Sequence, residues 1–283
     1  MAGAAIVIPA NHQEMSTSDV IKDMRNASTE ILLETAREIV EKQCADSKVL
    51  DPIVEAEVPK FDSQEITLGR VIGRGGFCVV RAIEKIKTPT SSEYAKKSKG
   101  LFLFRMMKRS RGKPEGENTL NNLERNSEYS RDYVASRSKR KKGCYVLKQV
   151  ALDLKFSDKI TYMKGTVDIA MEAKFLSALD HPNIIRLTGV SAQGPYSSEG
   201  YFLMLEKLNE TLSRKIKTWT NVDRQCKGIT GVFTGSKRKE EDLYRDRIEA
   251  AYDIAAGAAY LHEKNIIFRD LVSHYDYQIA GLS

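Results

Sequence analysis

The chain of 283 residues carries 45 Lys and Arg against 38 Asp and Glu, a net charge of +7. Its length admits one large domain or two small ones, and its composition is that of a soluble protein with enough apolar and aromatic residues to build a core. A uniformly basic protein is excluded, because residues 85–142 hold 17 basic against 6 acidic side chains and leave the remainder slightly acidic.

In chain order, "MAGAAIVIPANHQEM" has an apolar run with no basic segment ahead of it, which does not read as a signal peptide. "STEILLETAREIVEKQ" sets Leu32, Ala36, Ile39 and Val40 at helical spacing, an amphipathic helix that packs on the domain or on a partner. Residues 65–87, "EITLGRVIGRGGFCVVRAIEKIK", read as strand, glycine-rich turn, strand. Residues 87–143 are rich in Ser, Lys, Arg, Asn and Glu with little apolar period, and read as a flexible insertion. Its basic runs, "KRSRGK" and "SRSKRKK", admit a solvated loop, the simpler reading, or a contact with nucleic acid or another anionic surface, nuclear import or phosphorylation control. "CYVLKQVAL" is a third strand by composition. "VDIAMEAKFLSALDHPNII" places Val167, Ala170, Met171, Phe175, Ala178 and Leu179 on a helical stripe that "DHPN" stops. "IIRLTGV" and "YFLMLEKL" read as two more strands and "TLSRKIKTW" as a helix. A polar insertion at 221–242 leads into a long helix at 243–265, with Ile248, Ala251, Ile254, Ala255, Ala258 and Leu261 on one stripe. Cys44, Cys78, Cys144 and Cys226 fit neither metal-ligand spacing nor a disulfide framework, which points to a reducing compartment, cytoplasmic or nuclear. No apolar stretch approaches the roughly 18 residues that a membrane span needs.

The turn "GRGGFCVV" carries candidate chemistry. Gly73 and Gly75 stand two apart, and Cys78 takes the place where G-x-G-x-x-G wants its third glycine. One reading is an ordinary hairpin turn. A dinucleotide-binding fingerprint needs a helix straight after the glycines, whereas "VVRAIEKIK" begins with β-branched residues and suits a strand. The third reading is a loop folded over nucleotide phosphates, where a Cβ would hold the backbone N–H groups away from the phosphate oxygens. Phe77 then caps the tip and Val80 lies against the adenine. Lys148, in "YVLK", supplies an ammonium that can bridge phosphates as a point charge. Glu172 in the following helix has Leu176 and Leu179 at i+4 and i+7, an apolar edge where an unpaired carboxylate is costly. A solvated surface glutamate is the alternative.

This constellation resembles the eukaryotic protein kinase family of Ser/Thr type. The matching stretches are "IGRGGFCVV", "YVLK", Glu172, "HPNII", "FLMLEKL" and "YLHEKNIIFRDL", which follow the family's order over residues 65–271. The resemblance implies an α+β fold. Its small lobe, an antiparallel sheet plus one helix, spans 65–208 around the insertion at 87–143. An incomplete helical large lobe follows at 209–271 around the insertion at 221–242. Residues 1–60 then form an N-terminal extension and 272–283 an unrelated tail. The resemblance further implies ATP, Mg²⁺ and a protein substrate. ATP would meet Ile72, Gly73, Gly75, Gly76, Phe77, Val80 and Lys148, with Leu205 at the gate and the backbone of Glu206 to Leu208 facing the adenine. Asp270, in "FRD", would accept the substrate hydroxyl's proton, alongside Lys148 and Glu172 as catalytic residues.

The sequence departs from the family at the end of that stretch. Phe268 replaces the histidine of H-R-D, Val272 and Tyr275 stand where the family has Lys and Asn, and no D-F-G occurs. The side chains that usually hold the metal are therefore missing, and no metal ligand is assigned. The expectation is a truncated, catalytically impaired kinase chain. The alternative is a non-catalytic module that binds a nucleotide or a partner. Substrate, regulator and oligomeric state do not follow from the sequence.

Overall fold

The computed structural model describes residues 26–87, 119–141, 143–198, 200–227 and 236–267, which divide into two units. Of the described residues, the first unit holds those up to 178 and those from 187 to 207, and the second holds 179–186 and those from 208 onward.

In the first unit, helix α1 (Thr29–Cys44) forms where the sequence sets Leu32, Ala36 and Val40 a turn apart. Ser28 caps it by accepting the Ile31 N–H at 3.4 Å. Helix α2 (Pro52–Ala56) starts with a proline behind an Asp51 cap. Strands β1 (Lys60–Phe61), β2 (Ile66–Arg74) and β3 (Cys78–Ile86) follow, then helix α3 (Thr119–Arg140), strand β4 (Tyr145–Val150), the short helix α4 (Leu154–Ser157), helix α5 (Lys159–Ala178) and strands β5 (Leu187–Ser191) and β6 (Phe202–Glu206). The sheet order is β1-β5-β6-β4-β3-β2. Pairing is antiparallel, as expected, except that β1 adds a parallel edge beside β5.

Each face of the sheet is covered by helix. On one face Ile83, Tyr145, Leu147, Phe202 and Met204 pack with Phe61, Ile86 and with Val134 and Ala135 of α3. Each Val, Leu, Ile, Phe or Met among them is worth roughly 1.5–3 kcal/mol when fully removed from water. The expectation of a flexible insertion at 87–143 fails over Thr119–Arg140, which form α3. Few apolar residues mark this helix. It docks through Val134, Ala135 and two arginines: Arg131 pairs with Glu65 and lies over the Phe61 ring, and Arg137 Nη1 pairs with Glu206 Oε1 at 2.6 Å and lies over the Tyr145 ring. Residues 88–118, including "KRSRGK", lie outside the described residues.

The opposite face carries α5. This helix buries residues all round: Tyr162, Met163, Gly165, Thr166, Val167, Ile169, Ala170 and Ala173. A helix without a polar face needs partners on both sides. The sheet is one; α1 is the other, placing Leu32, Ala36 and Val40 against Met163, Val167 and Ala170. The N-terminal amphipathic helix therefore packs on its own domain, and α1 and α2 belong to the first unit.

In the second unit, helix α6 (Leu212–Lys227) packs on helix α7 (Ser236–Glu263) through Trp219, Leu243 and Ala250. The polar stretch at 221–242 is thus helical at both ends, with residues 228–235 outside the described residues. Trp219 Nε1–H donates to Asp246 Oδ2 at 2.6 Å, and Lys215 Nζ lies 3.0 Å from Oδ1. Partial burial would raise the Asp246 pKa, but the hydrogen bonds from Trp219 and Lys215 outweigh it and leave the carboxyl below its usual value. His181 stacks on Tyr260, whose hydroxyl accepts the Asp180 N–H at 3.0 Å, so "DHPN" lies along α7. Asn265, at φ 57°, ends that helix in the left-handed conformation, with Ile266 N–H bonded to Leu261 O at 2.9 Å. Tyr244, Ile248 and Tyr252 of α7 are exposed. Among the described residues, no helix is long and apolar enough to cross a membrane.

Candidate functional site

The site grows from one register. Gly73 of β2, Val80 of β3, Lys148 of β4 and Leu203 of β6 are successive cross-strand partners. A row of partners sends its side chains to one face of a sheet, here the face under α5. The glycine turn is a tight hairpin: Gly75 N–H bonds to Cys78 O at 2.8 Å, and Ala151 N–H, just past β4, bonds to Phe77 O at 2.8 Å. The tip is therefore tied to the end of the strand that carries the lysine.

Lys148 is 5% exposed, and its Nζ donates to Glu172 Oε2 at 2.5 Å. An ammonium so far from water requires an anionic partner, and α5 supplies it. Glu172 and Asp168 are one turn apart on the same helix face. Burial pushes the Asp168 pKa up; Lys148 pulls it back in part, and Glu172 adds to the rise. Burial likewise pushes the Cys78 thiol up to about 11, with Lys148 opposing and Glu172 and Asp168 assisting. Lys148, Glu172 and Asp168 thus all act on the Cys78 thiol, and Lys148 and Glu172 on the Asp168 carboxyl.

Gly165, one turn before Asp168, is where helix, strand and hairpin meet most closely. A Cβ there would lie 3.0 Å from both Phe77 Cβ and Val150 Cγ1. Any side chain there would require these neighbours to give by a few tenths of an ångström.

The structure pairs Lys148 with Glu172, sets Gly73, Val80 and Lys148 in one cross-strand row, and places Gly75, Gly76 and Phe77 in the hairpin. Ile72 is exposed beside them. Leu205 is buried opposite Val146, and Glu206 ends β6 with its carboxylate held by Arg137. Leu208 begins the second unit. Phe268, Arg269 and Asp270 lie outside the described residues.

Chemically, the arrangement fits a polyphosphate: a buried ammonium fixed by a carboxylate, below a glycine hairpin in which a Cβ on Gly76 would meet nothing within 4 Å. Among the described residues, no three His, Cys, Asp or Glu side chains gather as a metal site.

Residues 138–274 match the family described as protein tyrosine and serine/threonine kinase. The matched stretch, just under half of the chain, is similar to the protein kinase family. Mouse leucine-rich repeat serine/threonine-protein kinase 1 is 36% identical over 111 residues, 39% of this chain and 5% of that protein. A Dictyostelium discoideum protein named a probable serine/threonine-protein kinase is 27% identical over 144 residues, 45% of this chain and 18% of the relative. Mouse tyrosine-protein kinase Fer is 29% identical over 107 residues, 38% of this chain and 10% of the relative. The chain therefore spans only a small part of these relatives.

The family match includes Lys148, Glu172 and Asp270 but begins after the glycine hairpin. It is the strand register that joins the hairpin to the matched residues. Sequence reasoning missed Asp168 and Gly165. Asp168 was findable as the acid one turn before Glu172, and Gly165 as a glycine in the interior of a helix.

Proposed function

We propose that the first unit binds ATP between the glycine hairpin and the Lys148–Glu172 pair. The observation that carries this reading is the 2.5 Å contact of a 5%-exposed lysine with a carboxylate on a different element, below that hairpin. Lys148 would meet the α- and β-phosphates, Glu172 would hold its ammonium in place, and the hairpin would offer backbone N–H groups. Ile72, Val80 and Leu205 would exclude water around the base, and the backbone of Glu206 to Leu208 would face it. ATP supplies the phosphoryl group of the family's reaction. Asp270 would accept the proton of the hydroxyl on a protein substrate, taken as Ser or Thr because two of the relatives bear those names. Mg²⁺ serves the family generally.

Val272 and Tyr275 favour a second reading for this chain: nucleotide binding with transfer impaired, since a phenol and an isopropyl group replace an amide ligand and an ammonium. The four cysteines, all free thiols, suit an intracellular location, cytoplasmic or nuclear.

A titration of the full chain with a fluorescent ATP analogue tests the site. Saturable binding is expected, weakened at least about tenfold in Lys148→Met, as loss of a charge-assisted contact implies. Equal affinity in that variant would overturn the proposal. Transfer of radiolabelled γ-phosphate to a Ser/Thr-rich protein decides between the readings. Binding without transfer, insensitive to Mg²⁺ chelation, supports the second.

A further inference from the structure

Successive residues of a strand face opposite sides of its sheet. Leu203 is the cross-strand partner of Lys148 and shares its face, and Leu205 follows two residues on. Met204 packs on the other face, in the core that holds Val134 and Ala135 of α3, so Glu206 faces α3. At Glu206 the strand loses a neighbour. The register of β5 with β6 ends at Leu187 and Leu205, whereas β4 still pairs Tyr145 with Glu206, and Lys207 N–H bonds to Cys144 O at 2.9 Å. The backbone that would meet the base is therefore flanked on one side only.

Helix α3 supplies the missing restraint from below. Arg137 Nη1 donates to Glu206 Oε1 at 2.6 Å, and the same guanidinium lies over the Tyr145 ring, 5.7 Å from its centroid. One side chain thus grips both members of that cross-strand pair. Arg137 is itself well placed to hold them. Val134, one turn earlier, and Ala135 are buried in the core, and Ser138 beside it is buried too. If the Glu206 side chain were released, the peptide after it could tilt, because no second strand stands in its way.

We propose that Arg137 sets the base selectivity of the nucleotide site, by fixing Glu206 and with it the order of backbone donor and acceptor that meets the purine. This rests on the reading of the backbone from Glu206 onward as the segment facing the base. Adenine offers an amino donor beside a ring acceptor, where guanine offers a carbonyl beside a ring N–H. A backbone fixed in one arrangement therefore suits one purine and leaves polar groups unpaired against the other. A backbone free to tilt accepts both. Arg137 lies on the face opposite Lys148 and is a positioning residue that acts through Glu206.

The test is made in the full chain, with ATP and GTP each competing against a fluorescent ATP analogue. Wild type should prefer ATP by about tenfold or more. In Arg137→Ala, ATP should weaken about threefold to fivefold, the scale of a partly exposed ion pair, while GTP changes by less than about twofold. Glu206→Gln keeps the shape of the side chain, removes its charge and should lower the preference in the same way; it decides the matter should Arg137→Ala fail to fold. Arg131→Ala is the control. It breaks the pairing of α3 with Glu65 and loosens the same helix, which thermal unfolding reads separately, yet the preference should stay that of wild type. A fall in the ATP preference confined to Arg137→Ala and Glu206→Gln supports the proposal. An equal fall in Arg131→Ala makes α3 a general brace and overturns the assignment to Arg137. An unchanged preference in Arg137→Ala and Glu206→Gln overturns it, as does a wild-type chain that binds ATP and GTP alike; each of these outcomes leaves the nucleotide site standing. Wild type that does not bind the analogue at all removes the site itself.

Discussion

Replacing Gly165 with alanine sets two opposed effects against each other. Inside a helix alanine is favoured over glycine by about 1 kcal/mol. Against this, the new Cβ would stand 3.0 Å from Phe77 Cβ, 3.0 Å from Val150 Cγ1 and 3.3 Å from Cγ2. None of these atoms is the loose end of a long side chain. Phe77 Cβ is fixed to a main chain whose carbonyl accepts the Ala151 N–H at 2.8 Å, and Val150 is buried in β4 opposite Cys78. Overpacking of this kind costs about 1–3 kcal/mol. The balance is a net loss of about 0–2 kcal/mol, or up to several degrees in melting temperature for a chain of this size. Displacement of the hairpin tip should also weaken binding of a fluorescent ATP analogue. Thermal unfolding followed by circular dichroism measures the first effect and titration the second. Gly69→Ala is the control: its Cβ would come within 2.7 Å of Glu84 Oε1, but Glu84 is exposed and its carboxylate can swing away. A Gly165→Ala chain that gains the full helix-propensity benefit would refute the close approach of α5, β4 and the hairpin.

Two pH-dependent outcomes follow from the same space. Asp168 has its pKa raised in the folded chain, so the fold binds its proton more tightly than the unfolded chain does. Stability from this group is present at acid pH and is lost as pH climbs from the carboxyl's ordinary value through its raised folded value. Asp168→Asn should therefore raise the melting temperature at pH 7 and lose that advantage in acid; a variant less stable than wild type at pH 7 would mean that the carboxylate is stabilised as an anion. The Cys78 thiol, pushed up to about 11, should react with iodoacetamide far more slowly at pH 8 than a free cysteine, as followed by peptide mass spectrometry, with the rate climbing toward pH 11. Fast labelling at pH 8 would contradict its burial.

The parts of the fold that were legible in the sequence are those written in periodic apolar residues. The hairpin, β4, the amphipathic α1 and the carboxylate opposite Lys148 all follow from spacing and from the need to pair a buried charge. Helix α3 was not legible, because its signal is electrostatic and long-range: Arg131 and Arg137 find Glu65 and Glu206, 66 and 69 residues away, and no local period announces those pairs. The partner of α1 was hidden for a related reason. The absence of a polar face on α5 says that two surfaces cover that helix, but not which ones. Gly165 and Asp168 acquire meaning only once the hairpin tip and the helix are seen together. The parallel β1 edge, two residues long, is below the length at which a strand has a pattern at all.

The outermost ribbons of the sheet bear on how the protein avoids its own copies. At one border stands β1, too short to template another strand. At the other stands β2, whose alignment with β3 slips between Thr67 and Leu68, between Leu68 and Val71 and again between Val71 and Gly73. Such kinks twist the unpaired amides out of the straight line that an incoming ribbon would need. The hairpin glycines are therefore at the same irregular border that discourages fibrous stacking, even with Val71 and Ile72 facing water there.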